Sequence, residues 1–122
     1  MTTRLNTLDD NELIRRFSIA AREMGAAVLD SGTSAANKKF QIMWDVDLIL
    51  RSRGKAARLK LLPLLEEKDR FVRYYAAKKL LGLVPTRARA EIAWNAEHWF
   101  DALAGDAKGL LRAFDSGQYK PD

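Results

Sequence analysis

Apolar residues recur at steps of three and four along most of the chain, the spacing of one helix face and not the alternation of a strand. Leu13, Phe17, Ala20, Met24 and Val28 form the first such stripe, with Arg15, Arg16, Arg22 and Glu23 off it, so a helix is expected over roughly 8–30. Thr7 with Asp10 three residues on is an acidic variant of the capping box, and Asp9, Asp10 and Glu12 suit the positive end of a helix. The run DSGTSAAN at 30–37 reads as a loop. A second helix is expected over 34–53. Phe40, Trp44 and Leu48 take one side, and Ile42, Val46, Ile49 and Leu50 much of the rest, which predicts a helix covered on more than one side. Asp47 points among these apolar directions and is expected in a structural ion pair, because an unpaired carboxylate in a core costs several kcal/mol.

The stretch 55–83 reads KAARLKLLPLLEEKDRFVRYYAAKKLLGL, two helices over 55–66 and 70–83. The first carries Ala56, Leu59, Leu62 and Leu65, and Pro63 inside it predicts a bend. The second starts with Asp69 as N-cap, which is also placed to pair with Arg73, and Val72, Ala76, Leu80 and Leu83 form its buried stripe. Pro85 forces an end. Leu61, Leu62, Pro63, Leu64, Leu65, Asp69, Val72, Arg73, Ala76, Ala77 and Leu80 together resemble a HEAT repeat. A shift of 31 residues aligns Gly54 with Pro85, Leu61 with Ile92, Ala76 with Ala107 and Leu80 with Leu111, which predicts helices over 86–99 and 105–116. In that copy Phe100 and Ala104 stand where Asp69 and Arg73 would, so 86–116 reads as a degenerate terminal repeat without the turn Asp.

The expected fold is all-α, a single domain over 1–122 with about six helices in HEAT-like hairpins. The segments LDDNELIRRF, RSRGKAARLKLLPLL and GDAKGLLRAFDSGQYKP are similar to a small bacterial family, domain of unknown function 2019. That resemblance implies a compact helical domain and no assigned activity.

The 122 residues are 48% hydrophobic, enough for one core, and lack Cys entirely. One His and no thiol exclude disulfides, thiolate metal sites and multi-histidine centres. His98 lies between Glu97 and Trp99, and neighbours on a helix do not face each other. The serines sit in no nucleophile-elbow context and no glycine-rich phosphate loop is present. The carboxylates Asp9, Asp10, Asp45 and Asp47 are not spaced as a calcium loop. No enzyme activity, cofactor or metal is expected. With no apolar run near the roughly 20 residues of a membrane helix and a polar start, a cytoplasmic protein without membrane partners is expected.

Charge changes the picture. The chain carries +5, yet residues 51–90 hold twelve basic residues against Glu66, Glu67 and Asp69, a net of +9, while 1–50 carry −1 and 91–122 carry −3. Opposite the buried stripe of the 70–83 helix lie Phe71, Tyr74, Tyr75 and Lys78, flanked by Arg70 and Lys79. By resemblance to HEAT arrays this arc would face a groove, and its six residues are the candidate partner-binding site. The alternative is that the first or second helix lies across the arc and buries the tyrosines. Trp44, Trp94 and Trp99 are expected as packing residues. Three function classes follow. The leading one is a non-enzymatic adaptor or scaffold whose partner is another protein, an acidic one included. The second is nucleic-acid binding through 51–90, with Tyr74 or Tyr75 stacking on bases. The third is a HEAT-like DNA-repair enzyme, for which the chain is short.

Overall fold

Local signals decide where each helix begins and ends. The computed structural model describes residues 2–30 and 33–122, with side chains from Leu5 to Ala26 and from Ser34 onward. Among these residues there are six α-helices and no strand. They are α1 (Asp10–Asp30), α2 (Thr33–Arg53), α3 (Lys55–Arg58), α4 (Arg70–Leu80), α5 (Pro85–His98) and α6 (Ala102–Asp115), with 3-10 helices at Thr2–Thr7 and Leu59–Glu66. The all-α class is as the periodicity predicts. The side chain of Val28 and residues 31–32 of the expected loop lie outside the described residues, while the rest of 30–37, expected as loop, is helical. Helical backbone runs to Asp30 and resumes at Thr33.

Several starts differ from expectation for local reasons. The Glu12 N–H donates to Asp9 Oδ1 at 2.8 Å, so Asp9 is the cap of α1. Asp10 pairs with Arg53 and Lys60, at 2.8 and 3.0 Å. Gly54 turns the chain from α2 into α3 at φ +110°, a conformation that side chains with a Cβ rarely adopt. The expected bent helix over 55–66 is a four-residue α3 followed by the 3-10 winding that holds Pro63. Proline has no N–H to donate and its ring crowds the preceding turn, so the segment winds tighter than an α-helix there. Three residues per turn align Arg58, Leu61 and Leu64 inward. Ala56 is therefore exposed, and Leu59 and Leu62 are only half-buried, contrary to the α-helical reading.

Asp69 caps α4 as expected, accepting from the Phe71 and Val72 amides. Pro85 opens α5 at its first position, where its missing N–H costs nothing. The turn before α6 corrects the idea of a repeat that has lost its Asp. Asp101 caps α6 through the Ala104 amide at 3.0 Å. It stands 32 residues after Asp69, whereas the buried Leu103 and Ala107 keep the offset of 31 from Val72 and Ala76. The turn carboxylate is present but displaced by one residue.

The core gathers Leu13, Phe17 and Ala21 of α1, Met43, Val46 and Leu50 of α2, Leu61 and Leu65 of the 3-10 segment, Val72, Ala76 and Leu80 of α4, and Ile92 of α5. Helix α1 packs along α2 and also against α4, while α4, α5 and α6 pack in succession. The expectation that α2 is covered on several sides does not hold. Phe40, Trp44 and Leu48 line a half-exposed flank, with Trp44 47% exposed and stacked on Phe40 at 6.4 Å. The α1 side absorbs Met43, Val46 and Leu50, and no described helix lies across the other.

Asp69→Ala should lower stability by about 0.5–2 kcal/mol, the usual range for a cap. Asp101→Ala should cost more, because it also strips a buried guanidinium of its partner. Urea midpoints of the two variants check the order.

Candidate functional site

Arg70 opens α4, and its side chain runs inward and not into solvent. Its guanidinium grips Asp101 with both terminal nitrogens, Nη1 at 2.5 Å and Nη2 at 3.2 Å, and donates from Nε to Asn95 Oδ1 at 2.9 Å. Asn95 is fully buried and donates from Nδ2 to the Glu91 carbonyl and to Glu91 Oε2. Glu91 in turn receives Arg73 Nε at 3.2 Å. Arg73 Nη1 donates to the carbonyls of Glu67 and Lys68, which ties the turn before α4 to α5. The expected pairing of Arg73 with Asp69 is therefore replaced: Asp69 is occupied by backbone amides, and Arg73 spans to Glu91.

Aromatic rings close over these cations. The Arg70 guanidinium lies 4.0 Å from the Trp99 ring and 5.3 Å from Phe71, and that of Arg73 lies 5.2 Å from Trp94. Between them is an open cleft of about 650 Å³, lined by Phe71, Tyr75, Trp94, Trp99, Leu103 and the paired Arg70, Arg73 and Asp101. Phe71 is backed by α1 at Gly25, where an added Cβ would lie 2.9 Å from its ring. Trp94 and Trp99 are 37% and 42% exposed, which corrects their assignment as packing residues, and Phe100 beside them is 94% exposed. Trp44 is corrected in the same way.

The six-residue arc is divided along α4. Arg70, Phe71 and Tyr75 line the cleft at its N-terminal half. Tyr74 is wholly buried and Tyr75 nearly so, so neither ring forms an open stacking surface. The alternative, in which packed helices bury the tyrosines, fits the burial of both rings: α1 packs against α4, and the Tyr74 hydroxyl donates to Asp106 of α6. Lys78 bonds the same carboxylate at 3.1 Å and lies over both tyrosine rings. Lys79 turns toward α2, 3.9 Å from Asp47 and over Trp44. Asp47 is buried and paired, with Arg51 at 2.9 Å, as expected. Asp101, Asn95, Glu91 and Asp106 complete the site without having been singled out. Asp101 had a detectable signal, an N-cap before an apolar run, while Asn95 had none.

The basic segment is not an open basic face. Of its twelve cations, Arg51, Arg53, Lys60, Arg70, Arg73, Lys78, Lys79, Arg87 and Arg89 each meet a carboxylate. All those carboxylates except Glu66 come from outside 51–90. His98 is exposed, stacked on Trp94 at 4.9 Å, with Nδ1 2.9 Å from the Trp94 carbonyl oxygen. Among the described residues no cluster of three or more His or carboxylate groups could hold a metal, and no helix is long and apolar enough to cross a membrane.

A family model described as domain of unknown function (DUF2019) matches residues 11–115, every residue of the cleft included. The chain belongs to this family. The crystal structure of the protein RPA1889 from Rhodopseudomonas palustris CGA009 is 31% identical to the DUF2019 chain. It superposes with a TM-score of 0.89, over 97% of this chain and 98% of that one. No curated protein matches the chain.

Burial pushes the Tyr75 hydroxyl up to about 12, with Asp106 adding to it. Burial also raises Tyr74, helped by its bond to Asp106. The unfolded chain loses these protons near pH 10, before the folded one does, so stability should be complete below pH 10 and fall as pH rises toward 12. Urea midpoints across pH 9 to 12 check this, with Tyr75→Phe flattening part of the slope. Tyr74→Ala should cost roughly 3–5 kcal/mol, as for a buried aromatic.

Proposed function

We propose that this DUF2019 chain is a non-enzymatic protein-interaction module that docks partners at the aromatic cleft between the starts of α4 and α6. One observation carries the reading. Arg70 is spent on Asp101 and Asn95, and Arg73 on Glu91, while the rings of Phe71, Trp94 and Trp99 border open space. A cleft that catalyses needs a group able to take or give a proton at the reacting atom. A cleft that binds needs rigid apolar area with anchored polar edges, and Trp, Tyr and Arg are the residues that dominate binding energy at interfaces. Arg70 is pinned from two sides, so little side-chain entropy is lost when a partner closes over it.

The partner side chain that suits this site is aromatic or large and aliphatic, entering between Trp94 and Trp99. Phe100 at the rim, with Lys108 over its ring at 5.9 Å, extends the contact. The nucleic-acid reading loses its main support, since most of the cations it would use already face carboxylates.

Peptides selected by display against the folded protein should share a bulky apolar residue and compete with one another. Trp99→Ala should weaken them by about 2 kcal/mol, roughly thirtyfold, the scale of a hot-spot residue. Selected peptides indifferent to both Trp99→Ala and Trp94→Ala would place docking elsewhere. Duplex DNA at ~50 mM salt, where non-specific binders are normally visible, should show no binding.

A further inference from the structure

A second concavity lies toward the C-terminal half of α4, separated from the aromatic cleft by the contact of Tyr74 and Lys78 with Asp106. It measures about 360 Å³ and lies between Trp44, Leu48 and Arg51 of α2, Lys79 of α4 and Leu110 of α6. The chain's own segment 118–122 is laid into it. The Tyr119 amide bonds to the Ala113 carbonyl at 3.0 Å, Tyr119 forms part of the groove wall, and Asp122 reaches Arg51 Nη1 at 2.8 Å. The backbone there runs so close to Gly82 that an added Cβ would collide with Asp122 and lie 2.9 Å from the Pro121 carbonyl. Gly82 does not have positive φ, so the turn itself does not call for glycine, whereas the seated segment does.

The seating is loose. Asp122 is 79% exposed at its side chain, and an ion pair of that kind holds little. Past Tyr119 the segment makes no backbone hydrogen bond. It also leaves the groove partly unused. Trp44 and Leu48 stay half-exposed alongside.

We propose that this groove docks an extended segment of another protein carrying an aromatic ring and, three residues on, a carboxylate, and that 118–122 is its resident substitute. The aromatic side chain takes the place of Tyr119 beside Leu110, the carboxylate takes Arg51, and the incoming backbone passes over Gly82. A longer segment also covers the exposed Trp44 and Leu48, apolar area the resident leaves open, which is how it displaces the resident. The inference goes beyond the reading of the aromatic cleft and shares none of the residues that line it.

The probe is a fluorescein-labelled peptide of residues 116–122, SGQYKPD, followed by anisotropy on the full chain. Asp122→Arg sets like charges against Arg51 and loosens the resident segment, so the peptide should bind that variant severalfold tighter than wild type, as expected when the competent fraction rises. Gly82→Ala should abolish binding, because its methyl blocks the peptide and the resident alike. A peptide with Asn for its Asp should bind more weakly, and Trp99→Ala in the protein should change nothing, which separates this groove from the cleft. Equal affinity for wild type, Asp122→Arg and Gly82→Ala would overturn the proposal, as would no binding to an Asp122→Arg protein whose helical circular dichroism is intact. Concentration-dependent dimerisation of wild type that is lost in Gly82→Ala would overturn it in favour of exchange between two copies.

Discussion

A guanidinium buried at the start of α4 can stay there only if its planar fork is matched, and that requirement organises the adjoining elements. Arg70 takes both oxygens of Asp101 and one of Asn95, so α4, the end of α5 and the cap of α6 must meet in one register. Removing one partner from a buried pair typically costs about 3–5 kcal/mol, more than the pair itself contributes, because the remaining charge is stranded. Arg70 is nine-tenths buried while Asp101 keeps one flank in water, so the cost here lies below that range. Asp101 has a double duty, since the oxygen that caps α6 also holds Arg70. The Arg70 contact holds its carboxyl below the ordinary Asp range, and the Ala104 amide adds to this. The contribution is complete above about pH 4 and is lost as pH falls below it.

The uneven charge of the sequence has a related cause. Much of the net +9 of the middle segment is met within the chain by its two weakly acidic flanks. Asp10 of α1, Asp47 of α2, Glu91 of α5 and Asp106 and Asp115 of α6 each close on a cation of the middle segment. Most such pairs are exposed and individually contribute little. Together they lower the local positive field of the segment.

What remains open at the cleft and along the α2 flank is largely apolar and aromatic. α4 carries the cleft along its first half and borders the groove along its second, with Asp106 between them fastening Tyr74 and Lys78. A short helix packed against α1, α5 and the 3-10 segment has little free circumference, which is why an arc of six residues cannot all face outward.

Helix periodicity, the Asp69 cap, the break at Pro85 and the all-α class are properties of neighbours in the chain, and they were legible from spacing alone. So was the pairing of Asp47, since a carboxylate among apolar positions has few other options. The exposed Trp44, Trp94 and Trp99 were not legible, because periodicity marks which residues share a face and not whether another helix lies against it. Nor was the Arg70 site. Its partners stand 25 and 31 residues away on other helices, and a distance across the fold is set only once α4, α5 and α6 have packed. The sequence by itself determined the helices and their inward stripes, because backbone hydrogen bonds and side-chain spacing act within a few residues. Which cations are neutralised, which rings stay open and which groove the 118–122 segment occupies was decided by tertiary structure, because each depends on groups that only packing brings within reach.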